Sequence, residues 1–166
     1  ASTRIPYILT EDFPKLGLLT SLRFLEWVAE NPEGIISLPT GKTPEYFIKY
    51  THFLLENWDK PETRDLLKKY GLGGMKKPDL KRLQFIQIDE FYPISPGQHN
   101  SFFNYVSEYY IKGFGLDPSR ALLINSDEIE LVNGKTYQEI FPDSNIDLTL
   151  RYREAKTEEE GLKKAA

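Results

Sequence analysis

The sequence contains no cysteine, which excludes disulfides, thiolate zinc sites and cysteine nucleophiles. Histidine is nearly as scarce, with only His52 and His99, and two imidazoles do not make a metal-ligand cluster. No metal and no cofactor are expected. No apolar run approaches the roughly 20 residues that span a bilayer, and the amino end lacks a signal-peptide pattern. A cytoplasmic location is the default expectation, with no membrane partner. An excess of positive charge is also lacking: 21 basic residues stand against 25 acidic ones, a net charge of −4. That balance offers no footprint for nucleic acid, so an anionic ligand would have to be attracted locally. There are no internal repeats. The first residue is Ala1 rather than Met, which reads as a processed chain or one excised from something longer.

What is present is a strand–loop–helix unit at Ile35-Ile36-Ser37-Leu38-Pro39-Thr40-Gly41-Lys42-Thr43-Pro44. An apolar run enters a Pro/Gly turn and a helix start leaves it. Thr43 is predicted as N-cap, with Pro44 at the first helical position. Gly41 lets the backbone approach a ligand, and free N–H groups at a helix start favour phosphate. Gly41-Lys42-Thr43 also spells the end of a nucleotide P-loop, but the glycine that motif needs falls on Ile36, and Pro39 stiffens the segment. The nucleotide reading is rejected. An ordinary βα turn explains the same residues, so the loop alone leaves that alternative open.

The rest of the chain alternates strands and helices. Tyr7-Ile8-Leu9 is a short candidate strand. Leu18, Leu19, Leu22, Leu25, Val28 and Ala29 recur at helical spacing until Asn31-Pro32. Gly34 to Leu38 is the second strand, and Phe47, Ile48, Thr51, Leu54 and Leu55 line one face of the following helix. Residues 61–80 are hydrophilic, carry a short helix around Leu66-Leu67 and are broken by Gly71, Gly73 and Gly74, the pattern of a surface insertion. A third strand, Leu83 to Ile88, ends at Asp89-Glu90. Phe102, Phe103, Tyr105, Val106, Tyr109 and Tyr110 form a helical aromatic stripe, read as core. Leu122-Leu123-Ile124 is a fourth strand, and residues 151–166 form a charged helical tail. Strands separated by helices predict one α/β domain over residues 1–166, with a Rossmann-like parallel sheet flanked by helices.

Chemistry belongs at the carboxyl ends of such strands. The loop leaves one strand and Asp89-Glu90 ends the next. A carboxylate there, partly desolvated beside a phosphorylated ligand, is a natural general base. Turn capping or pairing with a lysine is the commoner explanation of an isolated Asp-Glu pair. His52 lies in a helix among Tyr50, Phe53 and Leu54 and reads as a surface or core packing residue; His99 reads as a structural hydrogen-bonding residue just before a helix.

Four segments together resemble the glucosamine-6-phosphate deaminase (isomerase) family. These are Leu38 to Pro44, like its phosphate loop; Phe85 to Phe91, like its strand ending in Asp-Glu-aromatic; His99 to Phe103, like its His-x-x-Ser-aromatic segment; and Ala121 to Asn125, like its next strand. Their order matches over about Ile35 to Asn125. The resemblance implies a modified Rossmann-like sheet, shared with sugar-phosphate isomerases and lactonases. It implies conversion of glucosamine 6-phosphate to fructose 6-phosphate and ammonia. Asp89 matches the general base, Thr40, Gly41, Lys42 and Thr43 match the substrate-binding loop, and Glu90 and His99 match supporting positions. A phosphorylated amino sugar is the implied small-molecule partner, in an assembly of identical chains.

Three departures qualify this. Lys42 stands where a small residue is usual, and the stretch between loop and Asp89 is longer than in the common bacterial enzymes. The family's later segment, which carries the ring-opening histidine, is absent. The chain is therefore expected to be the amino-terminal portion of a longer protein, its sheet incomplete at the C-terminus, and inactive by itself. Two alternatives stay open: a 6-phosphogluconolactonase-type hydrolase, against which Phe91 speaks because a basic residue is favoured there, and a non-catalytic sugar-phosphate-binding regulatory module.

Overall fold

The computed structural model describes residue 5, residues 7–143 and residues 145–166. The chain divides into two compact units, one built from the chain up to Ile88 together with Tyr105–Leu122, the other from Asp89–Asn104 and Leu123–Ala166.

The first unit opens with helix α1 (Phe13–Glu30). Asp12 caps it by accepting the Lys15 N–H at 2.7 Å, and Pro14 sits in the first turn, where no N–H is needed. Leu22, Leu25 and Val28 are buried on one face, and the Asn31 N–H closes the helix on the Trp27 and Val28 carbonyls. The strand predicted at Tyr7-Ile8-Leu9 does not form: these residues are irregular and exposed. Three apolar residues that join no ladder among the described residues have nothing to hold them extended.

Strand β1 (Ile35–Ile36) leads through the loop to α2 (Glu45–Glu56). Phe47, Ile48, Thr51, Leu54 and Leu55 are buried on α2, the face that the helical period predicts. Helix α3 (Pro61–Lys69) follows, and the 61–80 segment, exposed over much of its surface, anchors itself through buried Thr63, Leu67, Leu72 and Leu80. Strands β2 (Gln84–Ile86) and β3 (Ala121–Leu122) complete a three-stranded parallel sheet in the order β1-β2-β3. Its register pairs Ile36 with Phe85 and Phe85 with Ala121. Both later strands are shorter than their apolar runs. Each is preceded by a one-turn 3-10 segment that an aspartate caps, Asp79 accepting from Lys81 N and Asp117 from Ser119 N. Helix α4 (Phe102–Val106) starts in the second unit and continues in the first as a π-helical stretch, Ser107–Lys112.

Alternation along the strands separates two sheet faces. Ile36 and Phe85 are buried, and the Phe85 ring packs 6.0 Å from that of Tyr110. Ile35 and Leu122, on the opposite face, are 60% and 67% exposed. Under the covered face, α1 and α2 meet through a polar seam. The buried Ser21 hydroxyl lies 2.8 Å from the Phe47 carbonyl oxygen and 2.9 Å from that of Gly17, and it accepts the Thr51 hydroxyl at 3.0 Å.

In the second unit the Ser126 hydroxyl donates to the Ile94 carbonyl. Short α5 (Tyr137–Ile140) begins where the Glu139 carboxylate accepts from the Thr136 N–H at 2.8 Å and hydroxyl at 3.0 Å. Ile140, Phe141 and Leu150 are buried there. The charged tail forms α6 (Glu158–Ala165), capped by Thr157, and Arg153 bonds both Glu160 at 2.8 Å and Asp147 at 3.1 Å. Among the described residues no helix is long and apolar enough to cross a membrane.

Gly17 makes the α1–α2 seam possible. A Cβ there would lie 2.6 Å from the Tyr46 carbonyl carbon and 2.8 Å from the Phe47 nitrogen, closer than packing allows. Because the obstacle is backbone, Gly17→Ala is expected to destabilise the fold by about 1–3 kcal/mol despite alanine's better helix propensity. Urea denaturation would measure it; an unchanged or raised midpoint would mean the helices can separate at no cost.

Candidate functional site

The loop between β1 and α2 is exposed at Gly41, Lys42 and Thr43. Gly41 adopts φ +93°, and the space around its missing Cβ is empty. Glycine is therefore needed here for its backbone conformation rather than for close packing. The predicted cap at Thr43 is corrected: α2 starts at Glu45, Pro44 occupies the cap position, and no side chain caps the helix. Proline supplies the fixed φ that this position tolerates, here −80°, leaving the Thr43 hydroxyl outside the helix hydrogen bonding. The Lys42 carbonyl accepts from Glu45 N at 3.2 Å. Among the described residues, nothing accepts the N–H groups of Thr40, Gly41, Lys42 or Thr43.

Two further loop carbonyls, by contrast, are taken by tyrosines. The Tyr105 hydroxyl donates to the Gly41 carbonyl at 2.8 Å, and the Tyr110 hydroxyl to the Pro39 carbonyl at 2.5 Å. Burial pushes the Tyr110 phenol well above its ordinary pKa, with neighbouring Tyr105 adding to the effect; burial raises Tyr105 as well, followed by Tyr109 and Glu45. Both phenols therefore stay protonated donors. The sequence reading placed this stripe in the core, which fits Tyr110 and Val106 but overlooks the two hydroxyls. A helical period conceals them, because residues five apart share a side only in a π-helix.

In the second unit, Glu90 is fully engaged. Its Oε1 accepts from the N–H groups of Phe91 and Phe102, each at 2.9 Å, and its Oε2 from Phe103 N at 2.6 Å and the Ser101 hydroxyl at 2.8 Å. The carboxylate thus caps the first turn of α4. Burial by itself would raise its pKa; the Phe103 and Phe102 N–H groups, then Ser101 and the Phe91 N–H, outweigh burial and hold it below 4.5. Glu90 acts on the backbone.

Asp89 follows β2 in an irregular stretch and is exposed. This exposure differs from the partial desolvation expected for it. His99 is exposed in the turn that precedes α4. His52 packs, as its surroundings predicted: its ring lies 5.2 Å from Phe114, edge to face, and its Nε2 donates to the Tyr109 carbonyl at 3.1 Å. Gly113 admits it, since a Cβ there would stand 2.6 Å from the His52 Cε1. Thr40, Gly41, Lys42 and Thr43 share one loop of the first unit, whereas Asp89, Glu90 and His99 belong to the second.

The sequence matches no known protein family, and no curated protein is similar to it. The fold does have a counterpart. A solved structure of a monomeric glucosamine-6-phosphate deaminase, described as a missing link of the NagB superfamily, aligns with 70% of this chain at a TM-score of 0.52 and 18% identity. The chain spans 41% of that protein's length. At such identity the likeness concerns the fold: an α/β arrangement with a parallel sheet flanked by helices.

Replacing Glu90 tests its place as a cap. Glu90→Gln keeps one acceptor and loses the charge, and is expected to lower stability by about 1–2 kcal/mol at neutral pH. Because the native carboxyl titrates below its ordinary 4.5, this stabilisation is present in full well above that value and is lost as the pH falls through the native one. Denaturation midpoints of wild type and variant should differ at pH 7 and converge as the pH falls below the ordinary carboxylate range and through the native value. A constant gap across that range would remove the charge from the account.

Proposed function

We propose that this chain carries the phosphate loop and general base of a sugar-phosphate isomerase of the glucosamine-6-phosphate deaminase type. The observation that carries the reading is the Pro39–Thr43 loop. Its Pro39 and Gly41 carbonyls are bonded to tyrosines, the N–H groups of Thr40 to Thr43 are unclaimed among the described residues, and it follows the carboxyl end of a parallel strand in a fold like that of such a deaminase. Backbone N–H groups in that state suit a dianionic phosphate monoester. Lys42, exposed on the same loop, adds a cation, and the Thr43 hydroxyl a further donor.

Asp89 is assigned as the base. It follows β2, the sheet neighbour of β1, and is exposed. In the open-chain amino sugar it would take the proton from C2 and return one to C1, on a single face of the intermediate. The imine thus formed at C2 is hydrolysed by water, releasing ammonia and leaving a 2-keto sugar phosphate. Glu90 keeps the start of α4 in place and does not exchange protons.

The test is to add glucosamine 6-phosphate to the protein carrying this chain and measure ammonia together with fructose 6-phosphate. Absence of both products would end the deaminase reading. If turnover is seen, Asp89→Asn is expected to reduce it by roughly two to four orders of magnitude with substrate binding nearly intact. Near-normal turnover would take Asp89 out of the mechanism.

A second substitution addresses the loop. Valine cannot adopt the φ of Gly41 without strain, so Gly41→Val should weaken binding of the phosphosugar far more than binding of glucosamine. Equal losses for the two sugars would mean that the loop does not hold phosphate.

A further inference from the structure

We infer that Tyr105 and Tyr110 are positioning residues that set the phosphate affinity of the loop, and that the π-helical stretch after Tyr105 is the device that lets both reach it. The inference rests on the reading of this loop as phosphate-binding.

A peptide unit is planar and trans, so its C=O and N–H point in opposite directions. The Gly41 carbonyl belongs to the same peptide plane as the Lys42 N–H, and the Pro39 carbonyl to the same plane as the Thr40 N–H. When Tyr105 draws the Gly41 oxygen to itself at 2.8 Å, the Lys42 N–H is turned the other way. Tyr110 does the same to the Thr40 N–H through Pro39. Two alternate planes of the loop are thereby fixed before any ligand arrives, with Gly41 at φ +93° as the swivel between them. An anion then meets donors that need no reorientation, which is how preorganisation raises affinity without a new contact.

The two tyrosines are five residues apart. In an α-helix, at 3.6 residues per turn, they would be separated by about 140° around the axis, and only one could face the loop. The i→i+5 hydrogen bonding of Ser107–Lys112 returns Tyr110 toward the side of Tyr105. Their rings are 6.0 Å apart, and both hydroxyls end on the loop.

Tyr105→Phe is the decisive variant. The residue is only partly buried, so water can replace the lost donor and the fold is kept. Binding of inorganic phosphate and of glucosamine 6-phosphate, measured by calorimetry, should weaken roughly three- to tenfold. Glucosamine binding and the thermal midpoint should not move, and in turnover KM should rise while kcat is kept. Amide resonances of residues 40–43 should lose order in the ligand-free variant. Tyr109→Phe is the control, because that ring is 47% exposed and its hydroxyl bonds nothing among the described residues; it should bind phosphate as wild type does. Wild-type phosphate affinity and loop order in Tyr105→Phe would overturn the inference while leaving the loop reading intact. A wild-type protein that binds glucosamine 6-phosphate no better than glucosamine would overturn the loop reading, and the positioning role with it.

Discussion

The first unit depends on where one buried phenol finds its acceptor. Tyr110 is fully buried, and its ring packs against Phe85 of β2 and Phe114 at the end of its own helix. Phe114 in turn contacts Phe24 of α1 and Phe47 of α2. A hydroxyl carried into such surroundings must be bonded, since an unsatisfied one costs on the order of 1–3 kcal/mol. The acceptor is the backbone of the loop. Core packing and loop conformation are therefore one problem: the aromatic cluster cannot close without fixing the Pro39 peptide.

Adjacent carboxylates at the end of β2 meet opposite conditions. Glu90 accepts four hydrogen bonds and stays charged without being available to chemistry. Asp89 is exposed. Glu90 pins the start of α4 through the N–H groups of Phe102 and Phe103, while the residue before it lies at the surface. Sequence proximity says nothing about that division.

Much of this organisation was legible in the sequence. The face of α2 could be read residue by residue, because an amphipathic helix writes its burial in its period. The strand–loop–helix order and the parallel sheet followed from the same alternation. What could not be read depends on partners distant along the chain. Tyr7-Ile8-Leu9 has strand-like composition and no ladder. Thr43 has the right side chain for a cap, but the helix begins two residues later. The roles of Tyr105 and Tyr110 lie in a five-residue spacing that helical templates do not look for. One omission was avoidable: Thr136-Tyr137-Gln138-Glu139 carries the Thr-x-x-Glu pattern of a capped helix start, and α5 begins there.

The π-helical stretch also bears on how this segment can change over generations. Swapping one side chain for another within Ser107–Lys112 leaves the count of residues, and so the phase of the helix, untouched. Removing one residue returns the backbone to its commoner winding and rotates everything downstream by about a hundred degrees. Phe114, the junction of the aromatic cluster, would turn away from α1 and α2 together with Tyr110. Among descendants of a common ancestor, the exposed positions of this stretch would diverge in letters while Tyr110, Ile111 and the length stayed fixed, so that an alignment across it would carry substitutions but no gaps.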